Sequence, residues 1–267
     1  MIRDITLGQY YQTDSVIHRL DPRVKLVTTL AFIISLFIVD NAAGYIIAGL
    51  FLAVVIKLSN VPVKFMMRGM KSIAFLLVIA VVFNLFLTQG EVVFSIWKLQ
   101  ITKEGIRLAI MMAVRLVFLI MGSSVMTLTT TPNNLTDGLE KILNPLKAIK
   151  VPVHEISMMM SIALRFIPIL LEETDKIMKA QIARGADFES GNLLKKVKSM
   201  VPLLVPLFIS AFRRANDLAT AMEARCYRGG EHRTKMKPLI YSKRDFMAYG
   251  TVCVYLALCV GIGRMLF

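Results

Sequence analysis

Cysteine and histidine are scarce in this chain, with three of each in 267 residues. Cys226, Cys253 and Cys259 make no even set, and two of them fall in an apolar stretch near the end, so no disulfide framework is expected. His18, His154 and His232 are scattered, without His-x-x-x-His or Cys-x-x-Cys spacing, which argues against a metalloenzyme, and no metal ligand is assigned. Cys226 has only His232 nearby and is not expected to serve as a metal or redox group. No Gly-x-x-x-x-Gly-Lys occurs, so the chain does not bind ATP through a P-loop, and "GAD" and "RCYRGG" are too short for phosphate loops. No cofactor is implied. The first twenty residues carry charges throughout and lack an apolar core, so no cleavable signal peptide is expected and the first membrane helix acts as its own targeting signal.

Apolar residues are abundant: 56% of the chain is hydrophobic, with 32 Lys and Arg against 18 Asp and Glu. Long apolar runs with a cationic surplus indicate a membrane protein in a lipid bilayer, with no nucleic-acid partner. A spanning helix needs roughly 17 to 25 apolar residues. Five stretches come near this: 26–39, 41–56, 72–87, 108–128 and 246–263. Flanking Lys25, Lys57 and Lys71 lengthen the short ones by snorkelling. The tight "DNAAG" between the first two predicts a helical hairpin. Asp and Glu are absent from all five. That absence argues against a self-contained secondary transporter, the leading alternative, which needs a midplane site with carboxylates. A membrane-embedded enzyme would need a nucleophile and a base at depth, and no histidine is available there.

Cations set the topology. The N-terminal arm has Arg3, Arg19, Arg23 and Lys25, the first hairpin turn none, and the second loop Lys57, Lys64, Arg68 and Lys71. Lys98, Lys103 and Arg107 in the third connection fit least well, whereas nineteen Lys and Arg lie between Thr129 and Asp245 and only Arg264 after them. The positive-inside tendency then puts the N-terminus in the cytoplasm and, after five crossings, the C-terminus outside. The expected architecture is all-α: an arm and four transmembrane helices over 1–131, a cytoplasmic coupling-helix domain over 132–245, and a last transmembrane helix over 246–267. Within the domain, "SMMMSIALRFIPILL" and "MVPLLVPLFISAF" resemble crossings. Arg165, Pro168, Pro202 and Pro206 interrupt them, and two more crossings would export Lys176, Lys179, Arg184, Lys195, Lys196 and Lys198. They are expected to lie at or below the inner interface.

Two helices in this domain end alike. The stripe 170, 171, 174, 177, 178, 181 and 182 predicts one helix, supported by Glu172–Lys176 and Asp175–Lys179 pairs and capped by Gly185. A second, from about Pro202, places Leu204, Leu207, Phe208, Ala211, Ala215, Leu218, Ala219 and Met222 on one side with an Arg213–Asp217 pair, and Gly229 and Gly230 close it. Each ends in Ala-x-x-Ala-Arg, at 180–184 and 221–225. One such ending is ordinary capping, worth about 0.3 to 1 kcal/mol through the helix dipole. Two point further, because the paired alanines clear a face for close approach and present a guanidinium fork to a partner's carboxylate or carbonyls.

With "SVIHRLDPRVKL" before the first membrane helix, "TPNNLTDGLEKILNPLKAIKVPVHEISMMMSIALRFIPILLEE" entering the domain, and the paired endings, the chain resembles the transmembrane T component of energy-coupling factor (ECF) transporters. These are vitamin and metal-ion uptake relatives of ABC importers. The resemblance implies a noncatalytic scaffold in a bacterial plasma membrane. It links two cytoplasmic ATPases, which hydrolyse ATP, to a substrate-binding membrane S component. Ala183, Arg184 and Gly185 match the family's first docking motif. Ala224 and Arg225 match the second, where Cys226 replaces the usual Gly or Ser. The apolar helix base, with Met158, Met159, Met160, Ile162, Leu164 and Phe166, is the candidate S-component contact, its methionines giving an adaptable surface.

Two further expectations concern polar groups. Asp21 before Pro22 reads as an N-cap with proline at the first helical position. Arg115 lies in the fourth apolar stretch, roughly 10 Å below its outer end, where a charge needs a partner. Asn84, at similar depth, is the candidate partner, with outward snorkelling of Arg115 as the alternative.

Overall fold

A computed structural model of the chain describes residues 10–39, 41–88, 90–96, 99–186, 188, 193–230, 236 and 238–265. Arg3, Asp40, Lys98 and His232, used above, lie outside the described residues. The elements run α1 Pro22–Ile38, α2 Ala42–Ser59, α3 Val63–Leu87, β1 Val92–Ile96, β2 Leu99–Thr102, α4 Lys103–Thr129, α5 Pro132–Leu143, a 3-10 turn Asn144–Ile149, α6 Val153–Ala183, α7 Leu193–Ala224 and α8 Lys243–Met265. They form two compact units, Gly8–Ile142 with Leu239–Phe267, and Leu143–Pro238. The chain is an all-helical membrane protein but for one hairpin. By length and composition α2, α4 and α6 are long and apolar enough to cross a bilayer, and Ile73–Leu87 of α3 is a shorter apolar run.

In the first unit α1 and α2 each pack against α4 and α8. Helices in lipid gain little from excluding water and associate by close packing instead. Phe32, Leu36, Tyr45, Ala48, Leu52, Tyr255 and Cys259 are buried together, and Phe51 stacks on Tyr255 at 4.4 Å between ring centroids. Gly122 of α4 makes room: a Cβ there would sit 2.7 Å from the Phe32 ring. The buried Ser35 and Tyr255 hydroxyls share a 2.7 Å hydrogen bond, which satisfies both where water is absent.

Asp21 caps α1 as its sequence predicts, its carboxylate accepting from the Arg23 N–H at 2.9 Å, with Pro22 opening the helix. Asp245, 2% exposed, joins this corner from α8. It accepts from the Asp21 N–H at 2.9 Å, the Ser242 N–H at 2.7 Å and the Ser242 hydroxyl at 2.9 Å. Arg23 pairs with Asp21 at 2.8 Å and lies over the Tyr241 ring. The arm folds back here too. Burial pulls the His18 pKa down, its Nε2–H donating to the Tyr11 carbonyl at 3.0 Å while Nδ1 shares a 2.7 Å hydrogen bond with the Ser15 hydroxyl.

The third connection, whose charges fit the topology least, is the antiparallel pair β1–β2, with Ile96 opposite Leu99. "VVFSI" and "LQIT" are rich in β-branched residues, a strand signal that reading for membrane spans passes over.

Candidate functional site

In the second unit α6 and α7 are single helices of 31 and 32 residues that continue through Pro168, Pro202 and Pro206. Both begin ahead of the stripes expected from 170 and from about Pro202. Proline removes one hydrogen bond and bends a helix, and long apolar flanks carry it through.

Their ends close by one pattern. In α6 the Gly185 N–H donates to the Ile182 carbonyl at 2.9 Å and the Ala186 N–H to Gln181 at 3.0 Å. In α7 the Cys226 N–H donates to Glu223 at 2.8 Å and the Tyr227 N–H to Met222 at 3.0 Å. Both are Schellman closures, with a left-handed residue just past the C-cap. Arg184 and Arg225 are the two C-caps, exposed beside exposed Ala183 and Ala224. The repeated sequence makes a repeated geometry.

Gly185 has φ +85°, as expected of a capping glycine, but Cys226 takes the equivalent place with φ +57°. Gly229 and Gly230 therefore do not close α7, a correction to their predicted role. Cys226 preserves the backbone path at a conformational cost that L-residues other than Asn and Asp carry here, roughly 1 kcal/mol. Gly185→Ala is expected to fray the α6 end by about that amount, since a Cβ there meets nothing within 4 Å and strain acts alone. Cys226→Gly relieves strain and leaves α7 as stable or slightly more so. Amide exchange at 183–186 and 224–227 reads both.

A clasp joins the helices. Ser210 donates to Glu173 at 2.5 Å and Arg214 pairs with it at 3.0 Å. Glu173 precedes Arg184, and Arg214 precedes Arg225, by eleven residues, about 16 Å of helix. The two arms beyond the clasp are equally long. Glu172–Lys176, Asp175–Lys179 and Arg213–Asp217 do not close to ion-pair distance. Exposed pairs of this kind gain only tenths of a kcal/mol, and nothing fixes their rotamers.

The inward face of α7 also differs from prediction. Leu203, Leu207, Ser210, Arg214, Leu218 and Met222 are buried or half-buried, while Leu204, Phe208, Ala211, Ala215 and Ala219 are exposed. Hydrophobicity chose the greasier stripe, whereas the Glu173 clasp turns Ser210 and Arg214 inward. Met200, Val201, Leu204, Val205, Phe208, Ile209 and Phe212 are left exposed on α7. On α6 Met159 and Met160 are exposed, and Met158, Ile162, Leu164 and Phe166 half-buried.

Asn84 is not the partner of Arg115. Its amide donates to Ala80 of its own helix at 2.8 Å. Arg115 donates through Nε to the Tyr45 hydroxyl at 2.8 Å and through Nη2 to the Val39 carbonyl at 3.4 Å. A local helical acceptor satisfied Asn84, and α2, which packs on α4, supplied the phenol. Among the described residues no group of three or more His, Cys, Asp or Glu is placed to hold a metal.

A family model described as cobalt transport protein, CbiQ, matches residues 13–236. The "energy-coupling factor transporter transmembrane protein EcfT" of Clostridium kluyveri is 56% identical over 265 residues, 98% of this chain and 97% of its own length. Its namesake in Ruminiclostridium cellulolyticum is 54% identical over 256 residues, 96% of each chain. That of Bacillus subtilis is 46% identical over 259 residues, 97% of this chain and 98% of its own. A match over most of the chain, with identity at this level along full-length relatives, places the protein in the CbiQ/EcfT family of energy-coupling factor transporter transmembrane components.

Proposed function

We propose that this chain is the noncatalytic coupling subunit of its transporter. The ends of α6 and α7 dock on two cytoplasmic ATP-binding cassette subunits, one each, through Arg184 and Arg225. Those subunits hydrolyse ATP, and their movement shifts both helices against a substrate-binding membrane subunit that takes up a vitamin or other micronutrient. The observation that carries this reading is the identical closure of two helices on exposed arginines at equal distance from one clasp. A matched pair of contacts suits two similar partners that close and open together. The exposed Met159, Met160 and α7 apolar residues suit a deformable contact with the substrate-binding subunit.

The test is affinity purification from the native host in mild detergent with mass spectrometry. Wild type should bring two ATPases and a small membrane protein, and Arg184→Glu with Arg225→Glu should lose the ATPases. A wild type that purifies alone defeats the reading.

The accompanying topology has five crossings, α1 to α4 and α8, with the N-terminus and the α6–α7 unit cytoplasmic and the C-terminus outside. The nineteen cations of 129–245 support it. The length and composition of α6 fit the rival with seven, in which Arg184 would be external. With Cys253 replaced by Ser, Ala186→Cys and native Cys226 should both escape an impermeant maleimide on intact cells and react in inverted vesicles. Labelling of residue 186 alone from outside would establish seven crossings.

A further inference from the structure

A groove of about 700 Å³ opens in the first unit among α1, α2, α4 and α8. Its walls are apolar: Leu50, Val54, Leu58, Val125, Val254 and Leu258 line it, and Leu50, Val54, Val254 and Leu258 are themselves half or more exposed. Its charges sit at one end only, where Lys25 opens α1 and Arg244 opens α8. From Arg244 to Leu258 is fourteen residues of α8, about 21 Å. Half a hydrocarbon core is about 15 Å, so the groove runs from headgroup level to near the bilayer middle.

The charged end has no direct ion pair: Asp21 and Asp245 act on Lys25, and Asp14 on Arg244, only at longer range. Asp14 pairs with Arg19, Asp21 with Arg23, and Asp245 receives the backbone of α1 and the segment before α8. Lys25 and Arg244 have no carboxylate within ion-pair distance among the described residues. Lys25 as a whole is 6% exposed, and its ammonium donates to the His18 carbonyl at 3.1 Å and the Thr129 carbonyl at 2.8 Å. An ammonium has three donors, of which these bonds use two, and Lys25 lines the groove. Basic pockets between membrane helices attract anionic headgroups.

We propose that this groove binds one anionic phospholipid, its phosphate at Lys25 and Arg244 and an acyl chain along α2 and α8. Charge at a single end and apolar walls for one leaflet's depth match an amphiphile of that form. The lipid fills the space between α2 and α8 and ties their ends to one membrane surface.

Native mass spectrometry of the full-length chain tests this by titration with phosphatidylglycerol, phosphatidylcholine of the same chains, and glycerol phosphate. One phosphatidylglycerol should bind ahead of phosphatidylcholine, and glycerol phosphate should not compete. Arg244→Gln, at an exposed position, should weaken phosphatidylglycerol about fivefold and leave phosphatidylcholine unchanged. Val254→Trp, which fills the groove, should abolish the preference. Equal binding of the two lipids, or indifference to Arg244→Gln, would mean ordinary boundary lipid and overturn the proposal. Competition by glycerol phosphate would reduce the site to a phosphate site and overturn it too. A photo-crosslinker at position 254 in native membranes should label lipid; a protein adduct there would show that a partner helix holds the groove.

Discussion

Alanine at Arg184 or at Arg225 alone should leave the transporter assembled but slow, and alanine at both should release the ATPases. A buried interface arginine truncated to alanine costs about 2 kcal/mol or more, near thirtyfold in affinity. With one contact intact, the second forms at an effective concentration in the millimolar range, because the Glu173 clasp holds both arms in one unit. Each single variant therefore keeps its subunits while the loosened arm transmits less motion. Losing both removes about 4 kcal/mol, roughly a thousandfold. Lysine should not rescue, since an ammonium cannot reproduce the planar fork. Subunit stoichiometry after purification, together with ATP-driven uptake in proteoliposomes, separates assembly from coupling. Full stoichiometry and wild-type uptake in the double alanine variant would show the two endings to be no more than helix caps.

Replacing Asp245 by alanine should cost the first unit about 3 kcal/mol or more, since two backbone N–H groups and a hydroxyl lose their acceptor in a buried corner, at about 1 to 3 kcal/mol each. The start of α8 would come away from the start of α1. Asp245→Asn should cost less, because one oxygen still accepts while the amide nitrogen cannot. Burial raises the Asp245 pKa, and the N–H groups of Asp21 and Ser242, the Ser242 hydroxyl and Arg23 outweigh it, so the net shift is downward. A lowered carboxylate pKa contributes stability above its unfolded value, about 3.9, and loses it as pH falls through the folded value. Thermal midpoints in detergent, for wild type and both variants from pH 7 to pH 3, measure this. Equal midpoints for Asp245→Ala and wild type would leave the corner without energetic weight.

Much of this was legible from local pattern. The Asp21 cap, the Gly185 cap and both arginine endings depend on residues within one or two helical turns, so neighbouring letters suffice to place them. The β-hairpin was legible in principle, in the β-branched runs of 92–102, but sits between two stronger signals. Cys226 shows the limit of reading by type. Its left-handed φ is imposed by the same closure that Gly185 makes freely, and no rule of propensity selects cysteine for it.

Partners across the fold were a different matter. Arg115 needed a polar neighbour, and the sequence determined that need by placing a charge in an apolar run. Only the packing of α2 on α4 decided that Tyr45 would meet it, because a match of depth cannot tell which helix is adjacent. Likewise the stripe of α7 was chosen by hydrophobicity; Leu207, Leu218 and Met222 of it do face inward, but Ser210 and Arg214, which meet Glu173, stand there in place of Leu204, Phe208 and Ala211. Asp245 joins Asp21 across 224 positions of chain, a pairing with no trace in local spacing. The sequence by itself determined a cationic, helical membrane protein with two matched arginine-tipped helices, since composition, period and caps are properties of short segments. Tertiary structure decided how those segments are clasped, which polar groups answer one another and where a lipid-sized groove remains, since these depend on long-range contacts that only the folded chain brings together.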